Sequence, residues 1–471
     1  MRTSFDAKAE GRLRRKIDVH IIPVVAVMYL FCFIDRANIG NARLAKLEMD
    51  LGMTGYDYNT LLSAFYVAYI LFELPSNLMC KRVGPGKWLP FLTFCFGILS
   101  LCMAFVHSFG AAIALRFLLG VAEAGHLPGI AYYLSRWYRR EELAFRLAMY
   151  IVCAPIAGAV GGLLASGILT LDRIGSLERW RMIFLIEGII TTGLAVIAYF
   201  LLTDRIDTAR WLSAEEKELA NARLRSETVA SDVVVDKMRS KQVRAGIFNA
   251  TSLTMAVAFL LDNISVQGVA FFLPTIVKTL FPGRTVVHQQ LLTVPPYVVG
   301  ACFVLLIPYL SMKTLMRGVF VVGSGFLMIV GYAMYVGTSV SSSSVRYAAS
   351  FLVASGAFPM GAMMPGWASA NCNSDSARAG AIGIVVMLGN AGGLIACWSY
   401  LTKDAPDYLP GNALNVGAAC GLVIISALLT VYLQRENRRR EAGLRDARIE
   451  GLSLEEQESL GHRHPAFRYS Y

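Results

Sequence analysis

The chain has 471 residues, of which 55% are hydrophobic and only 16% charged, and a formal net charge of +11. Soluble domains carry about 25% charged residues, so this composition excludes an ordinary soluble enzyme and points to a lipid-embedded chain. The basic excess does not imply a nucleic-acid partner. Of the 44 Lys and Arg, 33 lie in segments on the same side of the membrane as the N-terminus. That asymmetry is the positive-inside pattern, which puts both termini in the cytoplasm; anionic lipid headgroups are the expected contact of the surplus charge.

In chain order, the first 18 residues are polar and do not form a cleavable signal, so the first apolar run acts as an uncleaved anchor. Apolar runs then recur at 21–40, 58–80, 89–108, 111–135, 147–171, 182–203, 249–278, 289–311, 318–336, 346–370, 379–401 and 412–433. Each can cross a hydrocarbon core of about 30 Å as a helix of about 20 residues. Helices are the expected form because lipid offers backbone groups no partner. The sequence therefore predicts an all-α membrane protein with twelve transmembrane helices. The longest polar interruption, 204–248, divides the runs six and six, giving an N-terminal half at 1–203, a central cytoplasmic loop at 204–248, a C-terminal half at 249–434 and a cytoplasmic tail at 435–471. Within the loop, Ser213 and Glu216 have capping-box spacing and predict a short helix. The tail reads as solvated, partly helical and disordered around His462 to His464.

Two stretches place charges inside apolar helices: Asp35-Arg36 in the first run, and Arg116 with Glu123 in the fourth. A charge at a bilayer centre costs about 2.5–3.5 kcal/mol on insertion scales, so such residues face a wet cavity or one another. Arg116 and Glu123 are seven residues apart, which puts them within about 20° of one helix face and about 10.5 Å apart along the axis. They do not reach each other directly, and each needs another partner. Guanidinium suits an anion because it stays charged and presents a planar fork. Glu123 can gain and lose a proton, and His126, one turn on, is a further candidate to share it. Asp35 and Arg36 point about 100° apart, so one can face a cavity while a neighbouring helix holds the other. The competing reading is a charge network that only fixes helix packing.

Glu73, Glu187 and Asp262 are weaker candidates that read as packing groups, with Glu187 near an aqueous edge. Tyr66, Tyr69 and Gln267 can line a path, and Asn390 lies among glycines that otherwise suit close helix packing. The nine cysteines form no CxxC pair, and those in the spans, Cys32 among them, read as small apolar packers. There is no phosphate-binding GxxxxGK[ST] and no HExxH. No enzymatic activity, cofactor or metal is expected.

These stretches resemble a known family. Asp35 followed by Arg36-Ala37-Asn38-Ile39-Gly40-Asn41-Ala42, the pair Pro75-Ser76-Asn77 and Lys81-Arg82-Val83-Gly84-Pro85, Arg116-Phe117-Leu118-Leu119-Gly120 with Glu123-Ala124-Gly125, and Phe272-Leu273-Pro274-Thr275 are similar to the anion:cation symporter branch of the major facilitator superfamily. Fungal allantoate, nicotinate and vitamin permeases are the nearest in pattern. The resemblance implies two six-helix halves that alternate access. It also implies proton-coupling carboxylates at Asp35 and Glu123, substrate contact at Arg116 and Arg36, and a cavity lined by Tyr69 and Asn390. The superfamily's GxxxDRxG motif reads Asn77-Leu78-Met79-Cys80-Lys81-Arg82-Val83-Gly84, with the first glycine and the acid replaced. A Thr-Lys-Arg-Ala stretch of fungal relatives appears as Ser376-Ala377-Arg378-Ala379.

The expected function is proton-coupled symport of a small organic anion by a plasma-membrane protein, with no nucleic-acid partner and a monomeric state. A nicotinate-like, vitamin-like or sugar-acid carboxylate would suit a single Arg. The alternatives are an exporter or uncoupled facilitator of an acidic metabolite, or a non-transporting membrane sensor.

Overall fold

A computed structural model describes residues 7–171, 177–225, 240–451 and 460–471. Among the described residues the chain forms helices and turns, and twelve helices are long and apolar enough to cross a membrane. They correspond one for one to the twelve apolar runs of the sequence. Their outward faces keep large apolar side chains exposed, such as Leu71, Phe200, Ile424 and Leu428, as lipid-facing helices do.

Most of the spans are long single helices: the first runs Ala7–Leu44, the second Asp57–Val83, the third Pro85–Met103, the sixth Arg179–Leu201, the seventh Ala250–Leu280 and the twelfth Leu409–Glu441. Others are interrupted. The fourth is Phe109–Glu123 followed, after a turn at Ala124-Gly125, by His126–Ser135. The tenth is Ser343–Ala357 followed by Met360–Ala370, broken at Phe358-Pro359. A break in the fourth run of each six is the kind of matched interruption that marks binding regions in repeated transporter folds.

Local signals explain several helix ends. Ser108 accepts a hydrogen bond from the Ala111 amide and starts the fourth span, and Ser374 does the same with Ala377 for the eleventh. The capping box in the central loop is formed: the Ser213 amide donates to Glu216 Oε2 at 2.8 Å, and the Glu216 amide donates to Ser213 Oγ at 3.2 Å. It opens the helix Ala214–Arg225.

The chain divides into two compact units. One comprises Met1–Val233 with Ala270–Val298, and the other Val234–Val269 with Val299–Tyr471. In the first unit the third and sixth spans press together where Gly188 lies against the backbone of Leu101. The second and fourth spans do the same where Gly120 meets the Phe65 carbonyl; a Cβ at either glycine would collide with backbone. Residues 270–298 belong to this unit through ring contacts of Phe271 with Tyr66 and of Phe272 with Tyr58, and through a hydrogen bond from Gln290 to the Asn41 carbonyl. In the second unit, Gly392 meets the Leu260 carbonyl and Gly389 meets Phe259. The glycines around Asn390 are thus packing residues that bring the seventh and eleventh spans together.

The C-terminal segment departs from the expectation of a solvated, disordered tail. Arg440, near the end of the twelfth span, donates to the carbonyls of His462, His464 and Phe467. Asn437 exchanges two hydrogen bonds with the Tyr469 backbone, and Asn371 and Trp367 bond Ser470. The reason is satisfaction of buried polar groups: Arg440, Asn437 and Asn371 are buried at a helix end, and the returning backbone supplies their partners.

Candidate functional site

The four charges singled out in the sequence meet in the first unit. Asp35 and Arg36 come from the first span, Arg116 and Glu123 from the fourth, and none is more than 6% exposed. Their pairing is crossed. Arg36 Nε donates to Glu123 Oε2 at 2.6 Å. Arg116 and Asp35 make no ion pair of that kind, but they line one small cavity, where each lies in the other's electrostatic field. As helix geometry requires, Arg116 and Glu123 do not form a direct pair. Each faces one of two adjacent residues on the first span, whose side chains point about 100° apart, although the two positions on the fourth span are about two turns apart.

Arg36 is enclosed by aromatic rings, with its guanidinium carbon 4.8 Å from the Tyr69 ring centroid, 5.0 Å from Phe33 and 5.3 Å from Phe65. This cage favours the cation and shields the ion pair from water. Cys32, one turn before Arg36, donates its thiol to Glu123 Oε2 at 3.3 Å and lies 3.8 Å from Arg36 Nη2. It is therefore a polar partner of the pair, and the reading of Cys32 as an apolar packer is corrected. Its spacing from Arg36, four residues, is the signal that could have revealed this.

Asp35 Oδ1 accepts a 2.6 Å hydrogen bond from Ser100 of the third span. Asp35, Ser100, Arg116 and Phe184 line a cavity of about 10 Å³, the scale of one water molecule. Arg116 stands 5.6 Å from the Phe184 ring centroid, and its Nε and Nη2 are buried without a hydrogen-bond partner. So are Asp35 Oδ2 and Glu123 Oε1. Polar capacity left open at a buried guanidinium beside a cavity is what an anion-binding position requires.

The remaining candidates fall elsewhere. His126 is fully buried, edge-on to Phe96 at 5.7 Å, and neither ring nitrogen has a hydrogen-bond partner. Asn38 accepts from Asn41 at 3.3 Å. Gln267 and Asn390 belong to the second unit. There Gln267 Nε2 lies 3.5 Å from Asn263 Oδ1, and Asn390 Nδ2 donates to the Val386 carbonyl at 3.1 Å. Glu187, expected near an aqueous edge, is only 2% exposed. Ser100 and Phe184 were missed because a serine and a phenylalanine in apolar runs carry no distinguishing pattern.

The comparisons with known proteins agree with this architecture. The Major Facilitator Superfamily pattern matches residues 25–397. The chain is 33% identical to an uncharacterized transporter of Schizosaccharomyces pombe, over 93% of this chain and 85% of that protein. It is 32% identical to the MFS-type transporter cnsO of Penicillium expansum, over 99% and 91%. It is 30% identical to the high-affinity nicotinic acid transporter of Saccharomyces cerevisiae, over 98% and 85%. Among solved structures, the fold is similar to a bacterial homolog of the human lysosomal transporter Spinster, with a TM-score of 0.64, 14% identity, and coverage of 88% of this chain and 96% of that one. The chain is a multi-pass membrane protein with a transporter fold, and it belongs to the Major Facilitator Superfamily.

Proposed function

We propose that this protein is a proton-coupled importer of a small organic anion. The observation that carries the proposal is the crossed set of buried charges, in which Arg116 lies beside a cavity with guanidinium nitrogens free to bind. A substrate carboxylate at Arg116 competes with Asp35 for the same positive charge. Asp35 then loses its counter-charge and takes a proton, which ties anion binding to proton binding. Glu123 is released from Arg36 or held by it according to its own proton. The loaded, neutralised site closes and reopens on the cytoplasmic face, where proton loss restores the Asp35–Arg116 pairing and expels the anion. Tyr69 backs Arg36, and in the second six-helix half Gln267 and Asn390 are the neutral groups proposed for substrate contact. The residue blocks 1–203 and 249–434 act as the two halves, joined by the loop 204–248. The protein works as a monomer in the plasma membrane with both termini cytoplasmic.

A nicotinate-like carboxylate is the first cargo to test, since one relative is named a nicotinic acid transporter. The experiment is uptake of labelled nicotinate and other small carboxylates at acidic and neutral external pH, in wild type, Arg116→Ala and Glu123→Gln. The expected result is acid-stimulated uptake of one carboxylate, abolished in Arg116→Ala and with a weakened pH dependence in Glu123→Gln, where Asp35 still takes a proton. Counterflow that continues unchanged without a proton gradient, and without proton movement, would instead establish an uncoupled carrier or exporter.

A further inference from the structure

The tail of the chain closes on a built surface of the second unit that the scheme above does not use. The ninth, tenth and twelfth spans supply that surface. Arg317 starts the ninth span's helix, Arg317–Gly337. Trp367 and Asn371 stand at the end of the second piece of the tenth, Met360–Ala370, and Asn437 and Arg440 lie near the end of the twelfth.

The contacts are to main chain. Asn437 accepts from the Tyr469 amide and donates to the Tyr469 carbonyl, both at 2.9 Å. Asn371 does the same for Ser470, at 2.8 and 3.0 Å. Trp367 Nε1 donates to the Ser470 carbonyl at 2.7 Å, and the Arg317 amide donates to the Tyr471 carbonyl at 2.8 Å. Successive residues of an extended chain present their amide and carbonyl to opposite sides. The tail therefore runs between the twelfth and tenth spans and is paired with both. Backbone pairing of this kind gives affinity, while side-chain contacts give selectivity. Tyr469 provides the latter: its ring centroid lies 4.4 Å from the Arg440 guanidinium carbon, and its hydroxyl accepts from Arg440 Nη2 at 3.2 Å.

The tail is held with little apolar burial. Among the described side chains of 460–471, Pro465 and Tyr469 are the buried ones. A segment fastened by hydrogen bonds with few buried apolar contacts opens at a lower free energy than the spans it rests on. What it grips is a half-helix. The break at Phe358-Pro359 leaves Met360–Ala370 joined to the rest of its span by a turn, and Arg317 Nη1 adds a 2.8 Å bond to the Gly366 carbonyl in that same piece.

We propose that this end of the second unit is a binding site for an extended peptide bearing an aromatic residue, that its resident ligand is the chain's own tail, and that the bound tail is a detachable lock fixing the half-helix Met360–Ala370 to the ninth and twelfth spans.

Hydrogen-exchange mass spectrometry of the purified protein in lipid nanodiscs, without substrate, tests this. The samples are the full chain, a chain ending at residue 459, and that shortened chain with a synthetic peptide of residues 460–471. Amides of 360–370 are expected to exchange about tenfold faster or more in the shortened chain, and the peptide is expected to return them to the full-chain rate. The same peptide carrying Tyr469→Ala is expected to leave them fast. Unchanged exchange at 360–370 without the tail would overturn the lock, and a shortened chain that the peptide does not restore would overturn the separable ligand. If the shortened chain does not fold, the full chain with Trp367→Phe and Asn371→Ala reads the same amides. Faster exchange at 360–370 together with 460–471 then supports the proposal, and unchanged exchange at 360–370 overturns it. No substrate or proton gradient enters the measurement, so its outcome is independent of the symport reading.

Discussion

The two compact units use the same apolar helices and bury different polar chemistry. The first unit buries opposite charges against each other: Arg36 on Glu123, and Asp35 beside Arg116. The second keeps its ion pairs at helix ends, Arg440 with Glu436 and Arg346 with Asp407, and otherwise meets its polar needs mainly with neutral groups. Ser265 donates to Asn415 Oδ1 at 2.8 Å, Tyr400 donates to Asn412 Oδ1 at 3.2 Å, and the Tyr335 hydroxyl lies 2.6 Å from Ser350 Oγ. Its buried Asp262 has no hydrogen-bond partner at all. Neutral networks hold helices in register at little electrostatic risk. Opposite charges buried in lipid are costly to separate. The two units therefore do not divide their polar chemistry evenly, and the mid-span charges Asp35, Arg36, Arg116 and Glu123 all lie in the first.

The largest test of that contrast is transport. Arg116→Ala removes a buried charge from the proposed site, and losses of this kind cost about 2–5 kcal/mol. We expect uptake of a transported carboxylate to fall by about a hundredfold or more. Gln267→Ala in the second unit removes a neutral hydrogen-bonding group worth about 0.5–1.5 kcal/mol, so uptake should fall less than about tenfold. Initial-rate assays at matched surface expression check both, and equal losses would break the comparison.

Stability comes next. Arg36→Ala leaves Glu123 buried without its cation, and breaking such a pair costs about 3–5 kcal/mol. Asn415→Ala leaves the Ser265 hydroxyl unpaired, which costs about 1–3 kcal/mol. Thermal unfolding of the purified variants should rank them in that order. The double variant Arg36→Ala/Glu123→Ala should recover part of the loss, because no unpaired charge then remains.

How much of this was legible in the sequence follows from which forces set each feature. The spans were legible because twenty apolar residues have few other uses, and Asp35, Arg36, Arg116 and Glu123 stood out because lipid makes charge expensive. That Arg116 and Glu123 would each need a third partner also followed from helix geometry. Which partner each takes depends on the rotation of the first span against the fourth, and one sequence does not encode that rotation in any local pattern. Cys32 was overlooked because a cysteine among apolar residues looks the same by composition whether it faces lipid or Glu123, and only its place one turn before Arg36 pointed to the ion pair. Glu187 was misjudged because Arg181 lies close in sequence, yet Asp50 and two backbone carbonyls hold Arg181 at the helix end. The tail was misjudged because composition reports charge, whereas docking depends on buried Arg440, Asn437 and Asn371 needing backbone partners.

The polar ends of the two units extend the comparison. In the second, Arg440 bonds Glu436 and three tail carbonyls, and its side chain is 1% exposed. Hydrogen bonds to charged groups are worth about 1.5–3 kcal/mol, so Arg440→Ala should free residues 460–471. Limited proteolysis should then cut the tail of the variant at protease concentrations that spare wild type.

In the first, the central-loop helix is tied to the first span by Lys16 Nζ and Glu216 Oε2 at 2.6 Å, with side chains 37% and 30% exposed. Pairs so open to solvent contribute about 0–1 kcal/mol, so Glu216→Gln is the smallest effect expected here. Its sign with pH is nevertheless fixed. The hydrogen bond from Lys16, followed by that from the Ser213 amide, holds the Glu216 carboxyl below the ordinary carboxylate range in the folded protein. A group shifted this way stabilises the fold at pH values above its unfolded value, and the contribution disappears as pH falls through the folded value. Wild type should therefore melt slightly above Glu216→Gln at neutral pH, and the two should converge under acid. Added salt should narrow the neutral-pH gap as well, because it screens exposed charges, and it should leave the Arg36–Glu123 difference largely intact. A gap that ignored salt would mean that Glu216 acts through its capping hydrogen bonds with Ser213, with its charge on Lys16 adding nothing.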